Sequence, residues 1–275
     1  MQKSFEIKAV KPEHYSQLKE LWITCFPDED KAVLNNFFEK SVTPECVIAT
    51  FSGDRLVNAM YLLESEIVAE RKRYKAIYVY GVCTHPEYRG KGLMKTAFRY
   101  LDESATEKNI DYLFLVPAED SLFGMYEKLG YKVGFAYEKS DVRFDEIFFK
   151  EQSEALTFEK YVQLRKKHCS DFSGYAILGK NAFNSFYLPV GEDMKVTCNN
   201  NGYCVFSIDN EKIIVFEHFC RSGFKLPFSG DYNKKYSVEL RKPSSNGNGI
   251  PFGMYKSLGN APELKNAFFG VPYGG

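Results

Sequence analysis

The sequence predicts an α/β protein, and three observations carry that expectation. The β-rich apolar run Ile77–Thr84 leads through a loop opened by Pro86 into Arg89-Gly90-Lys91-Gly92, and a helical stripe of Leu93, Ala97, Phe98, Leu101 and Ala105 follows at once. A further apolar run, Tyr112–Val116, comes after that helix. Aromatic residues make up 16% of the chain, with 24 Phe and 19 Tyr, which points to sheet-rich packing and an aromatic-lined cleft.

Taken in order, Phe5–Val10 reads as a first strand. Pro12 then sits where the first turn of a helix tolerates it, and Tyr15, Leu18, Leu21, Trp22 and Cys25 form a helical stripe ended by Phe26-Pro27. Asp28 to Asp30 open a second helix with Val33, Leu34, Phe37 and Phe38 on its apolar side. Cys46–Phe51, a Ser52-Gly53-Asp54 turn and Val57–Val68 read as a hairpin, and Glu70–Lys75 as a charged turn into the central strand. Pro117 closes the strand Tyr112–Val116. Asp120 or Ser121 is placed to cap a helix carrying Tyr126, Gly130 to stop it, and Val133–Tyr137 and Val142–Phe148 to form two more strands.

The second half reads as a helix over Thr157–Cys169 and strands over Lys195–Cys198, Gly202–Ile208 and Lys212–Phe219, joined by Asn-rich and Asp209-Asn210 turns. The hairpin around Val205–Val215 faintly echoes the one around Val47–Val57. Cys198 and Cys204 flank the first turn and are placed to face each other. Ser244–Gly249 reads as a flexible loop, and the apolar, glycine-ended tail Phe268–Gly275 is suited to docking back on the protein.

Strand, glycine loop and helix in succession make an anion site: free amides and the dipole of the helix start favour negative charge, and glycine lets backbone approach a phosphate. Arg89 and Lys91 add fixed positive charge. The loop is not a phosphate loop of the Gly-x4-Gly-Lys-Ser/Thr type. It is not a dinucleotide fingerprint either, because a third glycine would fall at Lys95.

The stretch resembles motif A of the GNAT-type N-acetyltransferases, Arg/Gln-x-x-Gly-x-Gly/Ala, here Arg89, Gly90, Lys91, Gly92, Leu93 and Met94 after His85-Pro86-Glu87-Tyr88. Met94 stands where the family has a small residue. About thirty residues on, Met125-Tyr126-Glu127-Lys128-Leu129-Gly130-Tyr131-Lys132 resembles motif B. The resemblance implies a GNAT acyl-CoA N-acyltransferase fold, a mixed central sheet flanked by helices, complete by about residue 150. A smaller α+β domain over 151–275 would then follow, similar to the degenerate GNAT-like or the sterol-carrier-like unit of Eis-like acetyltransferases.

The same resemblance implies acetyl-CoA as cosubstrate and a small-molecule or peptide amine as acceptor, with direct attack in a ternary complex. The pantetheine arm would lie along Val82, Cys83 and Thr84, with a backbone amide at Val82 or Cys83 as oxyanion donor. The pyrophosphate would meet Arg89, Gly90, Lys91, Gly92, Leu93, Met94 and Lys95. Tyr126 would protonate the leaving sulfur, the ordinary tyrosine pKa being near 10. The first two helices would flank the acceptor cleft. The base stays open among Glu64, Glu66, Tyr78, Tyr80, the terminal carboxylate of Gly275 and water alone. So does the alternative of a non-catalytic acetyl-CoA-binding module with a C-terminal interaction domain.

At 275 residues the chain has room for about two domains. Formal net charge is zero, with 36 basic and 36 acidic residues, which argues against nucleic-acid or membrane electrostatics. The cysteines, Cys25, Cys46, Cys83, Cys169, Cys198, Cys204 and Cys220, are odd in number and scattered, as reduced thiols are. With no signal peptide and no apolar run of membrane-spanning length, a cytoplasmic protein is expected. Cys83 reads as an inert buried thiol, the four histidines are too far apart for ligand spacing, and no metal is expected. Oligomeric state and acceptor identity stay open.

Overall fold

The computed structural model describes residues 4–170, 172–188, 194–221, 223–228, 230–244 and 249–270. Strand β1 (Phe5–Lys8) lies at one edge of a 12-stranded mixed sheet. Helices α1 (Tyr15–Cys25) and α2 (Lys31–Lys40) follow, and Asp30 caps the second by accepting from the amides of Ala32 at 2.6 Å and Val33 at 3.4 Å. Each buries one apolar face, Leu18, Leu21 and Trp22 from α1 and Leu34, Phe37 and Phe38 from α2.

Strands β2 (Val47–Ser52) and β3 (Arg55–Ala69) form the first hairpin. The chain returns in β4 (Lys72–Thr84) through Glu70 and Arg71, both at positive φ, as a tight two-residue turn between twisted strands requires. Helix α3 (Leu93–Glu107) crosses over to β5 (Tyr112–Leu115), parallel to β4. Helix α4 (Phe123–Glu127) leads into the long strand β6 (Lys132–Val142).

Beyond β6 come the one-turn helix α5 (Phe144–Ile147), β7 (Phe148–Phe149), helix α6 (Phe158–His168), β8 (Gly174–Leu178) and helix α7 (Lys180–Phe186). Six strands follow: β9 (Met194–Asn199), β10 (Gly202–Asp209), β11 (Lys212–Cys220), β12 (Leu226–Pro227), β13 (Ser237–Pro243) and β14 (Ile250–Ser257). Thr157 caps α6 through its hydroxyl, 3.2 Å from the Lys160 amide.

Strand order is β1-β2-β3-β4-β5-β14-β6-β13-β11-β10-β9, with β8 paired antiparallel to the far end of β3. Strand β14 thus lies between β5 and β6, antiparallel to both, and the sheet runs without a break through both halves of the chain. One face carries an aromatic core shared by α1, α2, α6 and α7. The other is covered by α3 and α4.

Several expectations are corrected. A strand over Val142–Phe148 is replaced by the end of β6 and then α5, because Phe144 and Ile147 stand three apart and turn together into a core with Phe148 and Phe228. Neither Asp120 nor Ser121 caps α4; the Ser121 hydroxyl bonds to Glu119 at 3.1 Å, and a 3-10 turn leads into the helix. Cys198 stands opposite Tyr203 and Cys204 opposite Thr197. The two thiols therefore occupy opposite faces of the sheet and do not meet.

Candidate active site

The central feature is a break in the pairing of β4. Ala59 pairs with Cys83 and Tyr61 with Tyr80, so Gly81 and Val82 together oppose Met60 in a β-bulge. Gly81 has φ +57°, and a Cβ there would lie 2.3 Å from the Trp22 ring, so only glycine fits. On its other edge β4 pairs with β5 over Ala76–Tyr78 alone. Past Tyr78 no described strand takes up that edge, and the backbone of Val79–Thr84 is left able to accept an extended ligand as an added strand.

The edge runs directly into the glycine loop. The His85 amide donates to the Val57 carbonyl at 2.9 Å, and Tyr88, buried against Val57 and Leu93, pins the turn. Gly90 (φ +74°) and Gly92 (φ +78°) are both left-handed, and a Cβ at either would meet nothing within 4 Å. Glycine is required here by conformation, while the space above the loop is open. The first helical bond of α3 is from the Thr96 amide to Gly92 O at 3.1 Å, so the amides of Leu93, Met94 and Lys95 have no partner within the helix. Arg89 Nε donates to Thr84 O at 3.2 Å, and Lys91 Nζ to Glu87 O at 3.0 Å while lying 4.6 Å from the Tyr88 ring centre. Met94 sends its side chain into the core under α3, so its bulk leaves the loop free.

Tyr126 is buried in α4, edge-on to Phe98 at 5.8 Å and Tyr131 at 6.0 Å. Burial pushes its phenol up to about 12. Its electrostatic influence reaches Tyr78, whose own phenol is raised by burial first and by Tyr126 second. The Tyr131 amide donates to Tyr126 O at 3.1 Å and the Gly130 amide to Glu127 O at 2.9 Å, with Gly130 at φ +89°. This is a Schellman stop, and it accounts for Tyr-x-x-x-Gly-Tyr as a local folding unit. An open groove of ≈ 610 Å³ runs along the helix past Ser121, Gly124, Met125, Glu127 and Lys128.

The remaining candidates divide between the two faces. Glu66 is ion-paired with Arg73 and Glu64 is exposed. Both lie on the α3 face, whereas Tyr78 and Tyr80 lie on the other, packed with Trp22, Phe37 and Phe186. Gly275 lies outside the described residues. Earlier in the same tail, Phe269 packs 4.9 Å from Tyr78 and 5.1 Å from Phe114, against the last pair of β4 and β5. Cys83 is buried and reduced, with its thiol pushed well up by contact with Cys25 and by burial.

Sequence reasoning passed over three residues. Glu29, in the α1–α2 turn, has a carboxyl raised by burial and by Asp30. Lys256 on β14 bonds to the end of α4 at Leu129 O, 3.0 Å away. Arg165, fully buried in α6, bonds to Glu217 at 2.7 Å and to the Phe269 carbonyl, and so anchors the tail segment. None belongs to a local motif, so only the fold reveals them. Among the described residues, no group of three or more His, Cys, Asp or Glu could hold a metal, and no helix is long and apolar enough to cross a membrane.

The open edge of β4, the glycine loop and the tyrosine-bearing helix are set in a GNAT-like mixed α/β fold. Residues 6–134 match the family model described as "Acetyltransferase (GNAT) domain", and this segment is similar to that family. No curated protein matches the chain. Among solved structures, a GCN5-related N-acetyltransferase from Kribbella flavida is similar at 15% identity and TM-score 0.71, over 93% of this chain and 71% of that one. One from Anabaena variabilis gives 14% identity and TM-score 0.69, over 92% and 72%. Eis1 from Mycobacterium abscessus gives 11% identity and TM-score 0.65, over 92% and 73%. At these identities the likeness shows the fold, and it extends well past residue 134.

Proposed function

We propose that the protein transfers an acetyl group from acetyl-CoA to a primary amine by direct attack in a ternary complex. The observation that carries this reading is the unpaired edge of β4 past Tyr78, which ends at the open Gly90–Gly92 loop with Tyr126 alongside. Val82, Cys83 and Thr84 offer backbone to the pantetheine amides. The amides of Leu93, Met94 and Lys95, with Arg89 and Lys91 swung from their backbone partners, receive the pyrophosphate. Acetyl-CoA supplies an activated thioester.

The neutral amine attacks the acetyl carbonyl, the N–C bond forms, and a backbone amide at Val82 or Cys83 steadies the oxyanion. The C–S bond then breaks, and the departing thiolate takes its proton from water. With its phenol near 12, Tyr126 gives up its proton less readily than an ordinary thiol, at about 8.5, so it acts by donating a hydrogen bond to the developing thiolate. The amine's surplus proton leaves through water or a carboxylate. Glu29 is one candidate.

The test is thiol release from acetyl-CoA over a panel of amines, wild type beside Arg89→Ala. Turnover with an amine, and a higher KM for acetyl-CoA in the variant, supports the reading. Stabilisation by acetyl-CoA without turnover for any amine reduces the protein to a binding module.

A further inference from the structure

The C-terminal end of α1 touches the cofactor edge through sulfur. Cys25 Sγ donates to Thr84 O at 3.5 Å, the same carbonyl that accepts from Arg89 Nε at 3.2 Å. Cys83 immediately precedes Thr84 in β4, and its side chain lies in the same core against which Cys25 packs. Both cysteines are free; Cys83 is buried and Cys25 is half-buried at the mouth of the cleft. We propose that Cys25 and Cys83 form a peroxide-sensitive pair whose disulfide closes the acetyl-CoA site. The closing effect rests on reading Val82–Thr84 as the cofactor edge; the pairing itself does not.

The chemistry suits the two positions. Contact with Cys83, aided by Arg89 against the cost of burial, brings the Cys25 thiol down to about 7, so a good fraction is thiolate near neutrality. The half-buried partner is thus the reactive one and the buried partner the resolving one. The Cys25 thiolate attacks one oxygen of hydrogen peroxide, breaking the O–O bond, releasing hydroxide and leaving a sulfenic acid. Cys83 sulfur then attacks Cys25 Sγ. The S–S bond forms, and the sulfenic hydroxyl departs as water with the Cys83 proton. Two electrons pass from the sulfur pair to the peroxide.

An S–S bond of about 2.05 Å is shorter than any non-bonded sulfur contact, so α1 is drawn onto β4. Trp22, one turn before Cys25, already fills the space over Gly81 and transmits the shift to the bulge. The Cys25 donor to Thr84 O is lost in the same step.

The experiment treats the full chain with hydrogen peroxide, alkylates the remaining thiols and maps the peptides by mass. In parallel it measures the rise in Tm caused by acetyl-CoA. The expected result is a peptide pair joined through Cys25 and Cys83, loss of the acetyl-CoA-induced rise, and its recovery with a dithiol reductant. Cys25→Ser is expected to keep the rise in peroxide. Absence of the joined peptides overturns the pair, and joined peptides with an unchanged rise overturn the switch. Joined peptides in a protein that acetyl-CoA never stabilises, even when reduced, leave the pair standing and refute the cofactor reading instead.

Discussion

Lys256, near the end of β14, places its ammonium 2.7 Å from the Asp102 carboxylate of α3 and 3.0 Å from the Leu129 carbonyl that follows α4. A residue of the second half thus ties together the two helices carrying the glycine-loop helix start and Tyr126. The pair is partly exposed, at 23% and 30%, so its stabilisation is modest. Lys256→Ala should cost about 1 kcal/mol by chemical denaturation. It should also lower turnover, because the Tyr126 hydroxyl is then less firmly placed. Unchanged turnover would separate Lys256 from the site.

Tyr126→Phe keeps the packing against Phe98 and Tyr131 and removes only the hydroxyl. The maximal rate should fall about 10²-fold with little change in the KM for acetyl-CoA. Because the phenol stays neutral up to about pH 12, the wild-type rate should show no loss from Tyr126 ionisation between pH 7 and 10. A basic limb near pH 9 that vanishes in Tyr126→Phe would contradict this.

The Arg165–Glu217 pair has both side chains at 0% exposure. Burial works against the Arg165 charge, and Glu217 together with Tyr161, Tyr203 and Tyr187 more than restores it, so the net shift is upward. Tyr187 and Tyr203 donate to Glu217 at 2.9 and 2.7 Å and complete its shell. Glu217→Gln alone strands the guanidinium and should cost about 3–5 kcal/mol. The double variant Arg165→Met, Glu217→Leu should be less destabilised than the sum of its single changes, measured as a double-mutant cycle.

His218 is held down to about 4 by burial and then by the charge of His168. Its folded value lies below the unfolded one of about 6.5, so the stability concerned is present above pH 6.5 and is lost as pH falls toward 4. The span corresponds to about 3 kcal/mol. Denaturation midpoints should decline between pH 6.5 and 4, and His218→Gln should flatten that decline.

What the sequence made legible was local chemistry. Gly90 and Gly92 are left-handed because the loop demands it, and Gly130 stops α4 by a Schellman arrangement written in neighbouring residues. Asp30 and Thr157 cap their helices as short-range rules require. The position of β14 was not legible. Pro251 and Gly253 inside Ile250–Ser257 argue against a central strand, and the fold tolerates them only through register shifts at those residues. Lys256, Arg165 and the bond from Cys25 to Thr84 were hidden for the same reason, each joining segments far apart in the chain.

The place of β14 also governs how the molecule is made. Leu115 ends β5, and Ile250 begins the strand that covers it, so 134 residues lie between them. At about 5–20 residues per second, the nascent chain carries the edge of β5 unpaired for roughly 7–27 s, with that of β6 beside it for most of that time. Translation of the second half is therefore a race against edge-to-edge association. The protein's yield in a cell should depend on chaperone capacity and on elongation speed through residues 116–257 more than on its equilibrium stability.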